Sequence, residues 1–417
     1  MSGRTPASPP VGLVVLVDAL RHDYLELGDT PFLFGLGESG TARPLGTILG
    51  YSDSVRATAF TGLMPDELGY WMEYRFLPGR SPFAPFDRFG WLDRFPSDLA
   101  LRAGKLALSR TVVPALARRR GYPSLDLRNL PFGAMWFFDY TMRVPMTAPG
   151  AHGAPTIVHR LSAAERPWIY LDSSKVGDRG ISEGIAAAPD DAGLVFVYLH
   201  HLDMASHLFG ISGSRFRTTL RETDARVERI SRAMRERFGD VETLVFSDHG
   251  MSPATSYRSL PELRRHPAFG SGFCFALDAT MVRIWYVDRR TALRTELRDL
   301  VASKLDGRWL TLGEQRRFSI DFEERDYGDE MFLVEPGQII FPNFHSYVRP
   351  KAMHAYDPTD PDQTGIVVAS SGVEVPASPR MTDVSSVMSR MTGLPELRPL
   401  DRVGVRTAEE RYAEVGG

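Results

Sequence analysis

Four short apolar runs stand out along the chain: Val11–Val17, Leu194–Leu199, residues 243–246 and Gly365–Ala369. Each is shorter than a typical buried helix and ends in a polar or small-residue turn. That is the pattern of strands buried on both faces of a parallel sheet. Between the second and third runs lies Ser214–Phe238, rich in Arg, Glu and Ala, with apolar positions at helical spacing. The order strand, helix, strand predicts an α/β fold with a mostly parallel central sheet and helices on both faces. Further on, residues 281–287 read as a strand, 291–305 as a helix, and 331–340 as a hairpin turning at Pro336-Gly337.

Residues 74–182 lack this rhythm. Pro, Gly and aromatic clusters fill the stretch, notably at 83–95 and 135–140. It predicts an insertion, a cap over the core. The chain then divides into a first core part (8–73), a cap region (74–185), a second core part (186–400) and a C-terminal tail (401–417). A smaller insertion is expected around 255–275. Within the cap, residues 99–120 are basic and partly amphipathic. They read as a solvated surface helix, with a membrane-facing helix as the alternative. The rings of Trp136, Phe137, Phe138 and Tyr140 either form the cap's own core or cover a leaving group.

Composition narrows the classes. Of 417 residues, 43% are hydrophobic and 24% charged, which excludes a disordered or coiled-coil chain. Basic and acidic residues nearly cancel, 49 against 52, so no strong basic field exists to hold nucleic acid. Cys274 is the single cysteine, which excludes an internal disulfide and any Cys-rich zinc site. The apolar runs fall well short of the about 20 residues of a membrane helix. No apolar signal core precedes Val11, so a cytoplasmic location is expected.

The acids and histidines then change the picture. Asp18 ends the first run. Asp203 and His207 follow the second, at the i,i+4 spacing that puts both on one helix face. Asp248 and His249 follow the third, in Ser247-Asp248-His249-Gly250-Met251. His354 lies before the fourth. Ligands of parallel sheets bind beyond the carboxyl ends of the strands, so three strand ends deliver Asp and His to one edge. Asp and His without Cys is the donor set of a hydrolytic zinc, manganese or mixed site. The number of donors exceeds the needs of one ion and suits the paired-ion clamp of phosphoryl transfer. Each residue alone also reads as a helix cap or a structural histidine.

A nucleophile candidate lies between the first and second groups. Ser52 follows Gly50-Tyr51 and opens a run that reads as a helix ending at Gly62. Backbone N–H groups and the positive dipole end at a helix start favour a phosphate and a developing alkoxide. A serine there also reads as a plain N-cap.

Asp18 to Leu25, Ser52 with Thr61-Gly62-Leu63-Met64-Pro65, Asp203 with His207, Asp248-His249-Gly250 and His354 occur in this order. Together they resemble the alkaline phosphatase superfamily, and within it the type I phosphodiesterase / nucleotide pyrophosphatase branch, over about residues 11–72 and 190–370. The resemblance implies an alkaline phosphatase-like core, two divalent ions (zinc first, manganese the alternative) and a phosphate-ester small-molecule substrate. It assigns Asp18, Ser52, Asp248 and His249 to one ion, and Asp203, His207 and His354 to the other. It implies attack by Ser52, nine residues before Thr61, with Ser54 as runner-up, and a phosphoserine intermediate. It has no counterpart for His200, His201 or His345. A sulfatase-like reading lacks its Cys/Ser-x-Pro-x-Arg pattern. A phosphomonoesterase, a phosphoryl transferase, a lipid-linked substrate and a non-catalytic binding role remain alternatives, and Arg56 is the one cation near Ser52 in sequence. One departure stands out. Branch members carry Asn four residues after the Gly that closes the nucleophile segment. Counted from Gly69 that position is Glu73, whose carboxylate repels a phosphate unless protonated or metal-bound.

Overall fold

The computed structural model describes residues 10–94, 98–120, 129–141, 147, 154–287 and 291–396. Its centre is a six-stranded sheet made of β1 (Val11–Val17), β2 (Thr41–Leu45), β3 (Trp168–Asp172), β4 (Leu194–Leu199), β5 (Val241–Phe246) and β6 (Gly365–Ala369). Their spatial order is β2-β6-β5-β1-β4-β3. β1 pairs in parallel with β4 and β5, and β3 in parallel with β4.

Successive side chains of a strand point to opposite faces, and β1 thereby serves two layers. Leu13, Val15 and Val17 face one layer, against Phe216, Leu220 and Val227 of the helix Ser214–Phe238. Val14 and Leu16 face the other, with Val55 and Phe60 of the helix Ser52–Thr61 and with Val384 and Met388 of the helix Asp383–Met391. Each fully buried Val or Leu contributes about 1.5–3 kcal/mol of transfer free energy. The expected α/β core with helices on both faces is thus present.

Three expectations are corrected. Gly365–Ala369 is a sheet strand, but antiparallel to both β5 and β2. An apolar run shows burial and carries no direction. β3 lies within the stretch assigned from sequence to the cap, and the helices Ile157–Ala163 and Ser173–Ala186 pack on either face of the same sheet. β3 sits at the sheet edge with mostly half-buried residues, so it lacks the apolar run that marks the inner strands. The hairpin expected at 331–340 does not form. Glu330–Val334 pairs with Met281–Tyr286 and Gly307–Trp309, whereas Gln338–Ile340 pairs in parallel with Ser256–Arg258.

Glu330–Val334 belongs to a second, four-stranded antiparallel sheet, with Phe273–Leu277, Met281–Tyr286 and Gly307–Trp309. The expected helix after it spans Thr291–Lys304. The cap opens and closes on a short antiparallel pair, Tyr74–Phe76 with Phe138–Tyr140, and carries the helix Asp98–Arg120. Phe138 and Tyr140 are buried with Phe83, Val113 and Leu130 in one cluster that runs into Phe273, Phe275 and Trp285 of the second sheet. These cap rings therefore hold the cap to its neighbour, while Trp136 is 46% exposed. Among the described residues no helix is long and apolar enough to cross a membrane.

Candidate active site

Each candidate residue sits where a strand gives way to a loop or helix. Asp18 is the first residue past β1, and its backbone N–H donates to Leu199 at the end of β4. Asp203 and His207 lie one turn apart on the helix His201–Phe209, which follows β4. Asp248 and His249 follow β5, and His354 follows the short strand Ala352–Met353. Two alanines, Ala19 (φ 62°) and Ala355 (φ 67°), adopt the left-handed conformation directly after Asp18 and His354. For a non-glycine residue this costs on the order of 1 kcal/mol and is found where side-chain aim is tightly constrained.

Ser52 opens the helix Ser52–Thr61, whose N-cap is Tyr51. Its hydroxyl is therefore not the N-cap group. Ser52 Oγ lies 3.0 Å from His249 Nε2. Ser54 Oγ donates to the Tyr51 carbonyl at 2.8 Å and is buried inside the helix packing. The two serines are thus told apart: one faces the acids and histidines, the other does not.

The site is crowded with acceptors. His249 Nδ1–H donates to the Gly250 carbonyl at 2.9 Å, so the Nε2 lone pair faces inward. That lone pair meets Asp18 Oδ1 at 3.3 Å and Asp248 Oδ2 at 3.6 Å. Both carboxylate oxygens, and His354 Nδ1, are buried without a hydrogen-bond partner among the described residues. The His249 and His354 rings stack at 3.6 Å. His207 Nδ1–H donates to the Ala352 carbonyl at 2.8 Å, which turns Nε2 to within 3.2 Å of Asp203 Oδ1. Buried acceptors without donors are costly unless a cation joins them. Donor atoms of Asp18, Asp248 and His249 lie within 4.8 Å of one another, as do those of Asp203, His249 and His354. The residues fit divalent ions, with His249 at the junction of the two groups and His207 beside the second.

Titration behaviour reflects the same crowding. Burial, reinforced by Asp248 and Asp203, holds the Asp18 carboxyl well above the usual range. Burial likewise pushes Asp248 up to about 7, against the pull of Arg56. Asp203 is pushed up by burial, but the facing His207 outweighs this and its carboxyl titrates well below the usual range. Burial disfavours the His207 imidazolium, yet Asp203 more than offsets it and raises His207 to about 9. Burial and the adjacent His249 keep His354 neutral.

Asp18, Ser52, Asp203, His207 and His354 line a cavity of about 510 Å³. Its wall brings in residues that sequence reasoning left without a role. Tyr198 donates from its hydroxyl to Asp18 Oδ2 at 2.5 Å, fixing that carboxylate from behind. The Arg56 guanidinium lies 4.8 Å over the Tyr198 ring and is ion-paired with Asp53. Glu73, His345 and Tyr347 form another part of the wall. Spacing from Gly69 marked Glu73, at the cap hinge, but no spacing signal marked His345 or Tyr347, which reach the cavity from the loop before β6. His200 and His201 stay outside it; His200 Nδ1 contacts Ser173 Oγ at 2.7 Å.

The chain was compared with proteins of known sequence and structure. No curated protein sequence matches it. Among solved structures it is similar to murine ectonucleotide pyrophosphatase / phosphodiesterase 5, an inactive variant in complex with AMP. The match has a TM-score of 0.65 and 16% identity, over 93% of this chain and 96% of that one. A second structure of the same murine protein gives a TM-score of 0.62 at 17% identity, over 93% and 96% of the two chains. The human protein gives 0.62 at 14%, with the same coverage. At these identities the likeness shows a shared fold, in agreement with the alkaline phosphatase-like core. The profile of type I phosphodiesterase / nucleotide pyrophosphatase matches residues 12–308, well over half the chain. The match spans every candidate site residue except His354. The chain therefore belongs to the type I phosphodiesterase / nucleotide pyrophosphatase family of the alkaline phosphatase superfamily, and is a hydrolase of the phosphodiesterase/pyrophosphatase type.

Proposed function

We propose that the protein cleaves a phosphodiester or nucleotide pyrophosphate-type bond of a small-molecule substrate through a phosphoserine intermediate on Ser52. The observation that carries this reading is the contact of Ser52 Oγ with His249 Nε2 at 3.0 Å, at the mouth of a cluster of buried carboxylates and imidazoles. Asp18, Asp248 and His249 with Ser52 would hold one divalent ion, and Asp203, His207 and His354 the other, with zinc as the ion that best suits this Asp/His set. Bound there, such ions supply Lewis-acid charge that favours the serine alkoxide and offsets charge on the phosphoryl oxygens.

The chain's own groups do the rest. The helix Ser52–Thr61 presents Ser52 at its N-terminal end, where backbone N–H groups favour a bound phosphoryl group. Ser52 Oγ gives up its proton to solvent and attacks phosphorus in line, the P–O bond to the leaving alkoxide or phosphate breaks and that group takes a proton from water, and a water on the opposite side later cleaves the phosphoseryl P–O bond and restores the Ser52 hydroxyl. Tyr198 and the Gly250 carbonyl hold Asp18 and His249 in place throughout, so positioning is built in before substrate arrives.

Ser52→Ala should lower kcat at least about 1,000-fold on diesters while zinc binding and Tm stay close to wild type. Retained activity in Ser52→Ala, with loss in Ser54→Ala, would overturn the assignment. Assays of nitrophenyl monoesters, diesters and nucleotide esters with added zinc or manganese test the substrate class. Turnover of monoesters alone would replace a diesterase with a phosphomonoesterase.

A further inference from the structure

Arg56 lies one turn past Ser52 on the helix Ser52–Thr61. Residues four apart on a helix share a face, with Cβ atoms about 5–6 Å apart. Ser52 and Arg56 both line the cavity, whereas Val55 and Ala59 of the same helix are buried against the central sheet. The Arg56 side chain is only 18% exposed, so its charge belongs to the cavity more than to bulk water. Two contacts fix where it stands. Nη2 donates to Asp53 Oδ1, and the guanidinium lies 4.8 Å over the Tyr198 ring. The Tyr198 hydroxyl bonds Asp18 Oδ2, while Asp18 Oδ1 faces His249 Nε2 at 3.3 Å. That same nitrogen meets Ser52 Oγ. The guanidinium is thus held next to the acid and imidazole that face the nucleophile. An arginine carries five N–H donors, so the bond to Asp53 anchors the fork without using it up.

We propose that Arg56 is a catalytic residue that binds a non-bridging oxygen of the phosphoryl group under attack by Ser52, with Asp53 orienting it. This rests on the hydrolase reading above and adds a protein cation to the groups that stabilise the transition state. Charge on a transferring phosphoryl group is spread over its equatorial oxygens, and the planar arginine fork matches such oxygens with paired N–H···O bonds. A fixed cation in a partly buried cavity is weakly screened, and it needs no reorganisation when that charge develops.

The test compares Arg56→Gln, Arg56→Met and Arg56→Lys with the wild type. The measurements are kcat/KM for bis(4-nitrophenyl) phosphate in the zinc-loaded protein, its calorimetric affinity for inorganic phosphate at pH 8, and the zinc affinity of metal-stripped protein. Arg56→Gln should lower kcat/KM at least about 100-fold and phosphate affinity at least about tenfold. Arg56→Met still packs on the Tyr198 ring and should match it, which keeps the test open if the glutamine variant does not fold. Arg56→Lys keeps the charge without the fork and should fall between these and the wild type. Zinc affinity should not fall in Arg56→Gln or Arg56→Met, because removing a cation beside a metal site does not weaken the site's hold on another cation. A residue that only braced Tyr198, and through it Asp18, would give the reverse. Weaker zinc binding with unchanged phosphate affinity would therefore overturn the proposal, as would wild-type phosphate affinity in Arg56→Gln and Arg56→Met. If the wild type cleaves no diester, the hydrolase reading fails on its own, and phosphate affinity still decides whether Arg56 binds the phosphoryl oxygens.

Discussion

The Asp248-His249-Gly250 segment shows how much one residue position carries. The acid and the imidazole are legible in the sequence, because they follow an apolar strand in a parallel sheet. The glycine is not, because its reason lies far along the chain. A Cβ on Gly250 would stand 2.1 Å from the Asp362 carbonyl oxygen and 2.9 Å from that of Thr364. Both are backbone atoms and cannot swing away. Gly250 also donates its N–H to Gln363 at 2.8 Å and accepts from His249 Nδ1, so any displacement is passed directly to the imidazole. Gly250→Ala is therefore expected to reduce kcat/KM about 100-fold, the penalty of a reacting group misplaced by an ångström. Its stability cost should be about 1–3 kcal/mol, the range for overpacking. Steady-state kinetics beside a urea melt check this, and wild-type kinetics in the alanine variant would refute it. Ser52 and Ser54 make the same point from the other side. Their spacing from Thr61 favours the first only through a resemblance, while the hydrogen bond of Ser54 to Tyr51 separates them on physical grounds.

At the level of elements, sequence pattern located buried strands well and their partners poorly. Val11–Val17 and Leu194–Leu199 are inner strands, with apolar residues on both faces. Pattern could not give the direction of β6, nor find β3, whose edge position needs no continuous apolar run. Charge pairing is another thing periodicity does not report. Arg283 sits in the apolar-looking strand Met281–Tyr286, yet it is fully buried. It joins Asp278, the Tyr74 carbonyl at 3.0 Å and the Tyr327 carbonyl at 3.3 Å, tying the second sheet to the hinge of the cap. Burial pushes Asp278 up, but Arg283 and His345 outweigh it and set its pKa at about 2. Removing one member of a buried pair leaves the other charge uncompensated, so Arg283→Met should cost about 3–5 kcal/mol, read as a lower urea midpoint. The double variant Arg283→Met/Asp278→Asn should recover part of that loss. A single variant as stable as wild type would show that the pair does not hold the sheet to the hinge.

Across the whole molecule, the site opposes the stability of the fold that builds it. Carboxylates on three separate strand ends meet in one buried volume, and without cations they repel. The consequence has a sign that can be checked against pH. Asp248 titrates at about 7 when folded, above the about 3.9 of an unfolded aspartate. Between those values the folded chain binds the extra proton, so stability falls as pH rises through that window. His207 titrates at about 9 when folded, above about 6.5 unfolded. Its contribution is complete below the unfolded value and is lost as pH climbs through 9. Asp203 has a lowered pKa, so its contribution is constant over this range. Asp18, also raised, acts in the same direction, whereas His354, lowered by burial, opposes it only below about 6.5, so the metal-free protein should lose about 5 °C or more of Tm between pH 7 and 9. Divalent ions take these same groups in their deprotonated forms, so their binding strengthens over the same interval. Melting curves of EDTA-treated and zinc-loaded protein should coincide near pH 5 and separate steadily toward pH 9. Parallel curves with no growing gap would mean that the buried acids and imidazoles do not share a cation, and the catalytic reading would lose its physical basis.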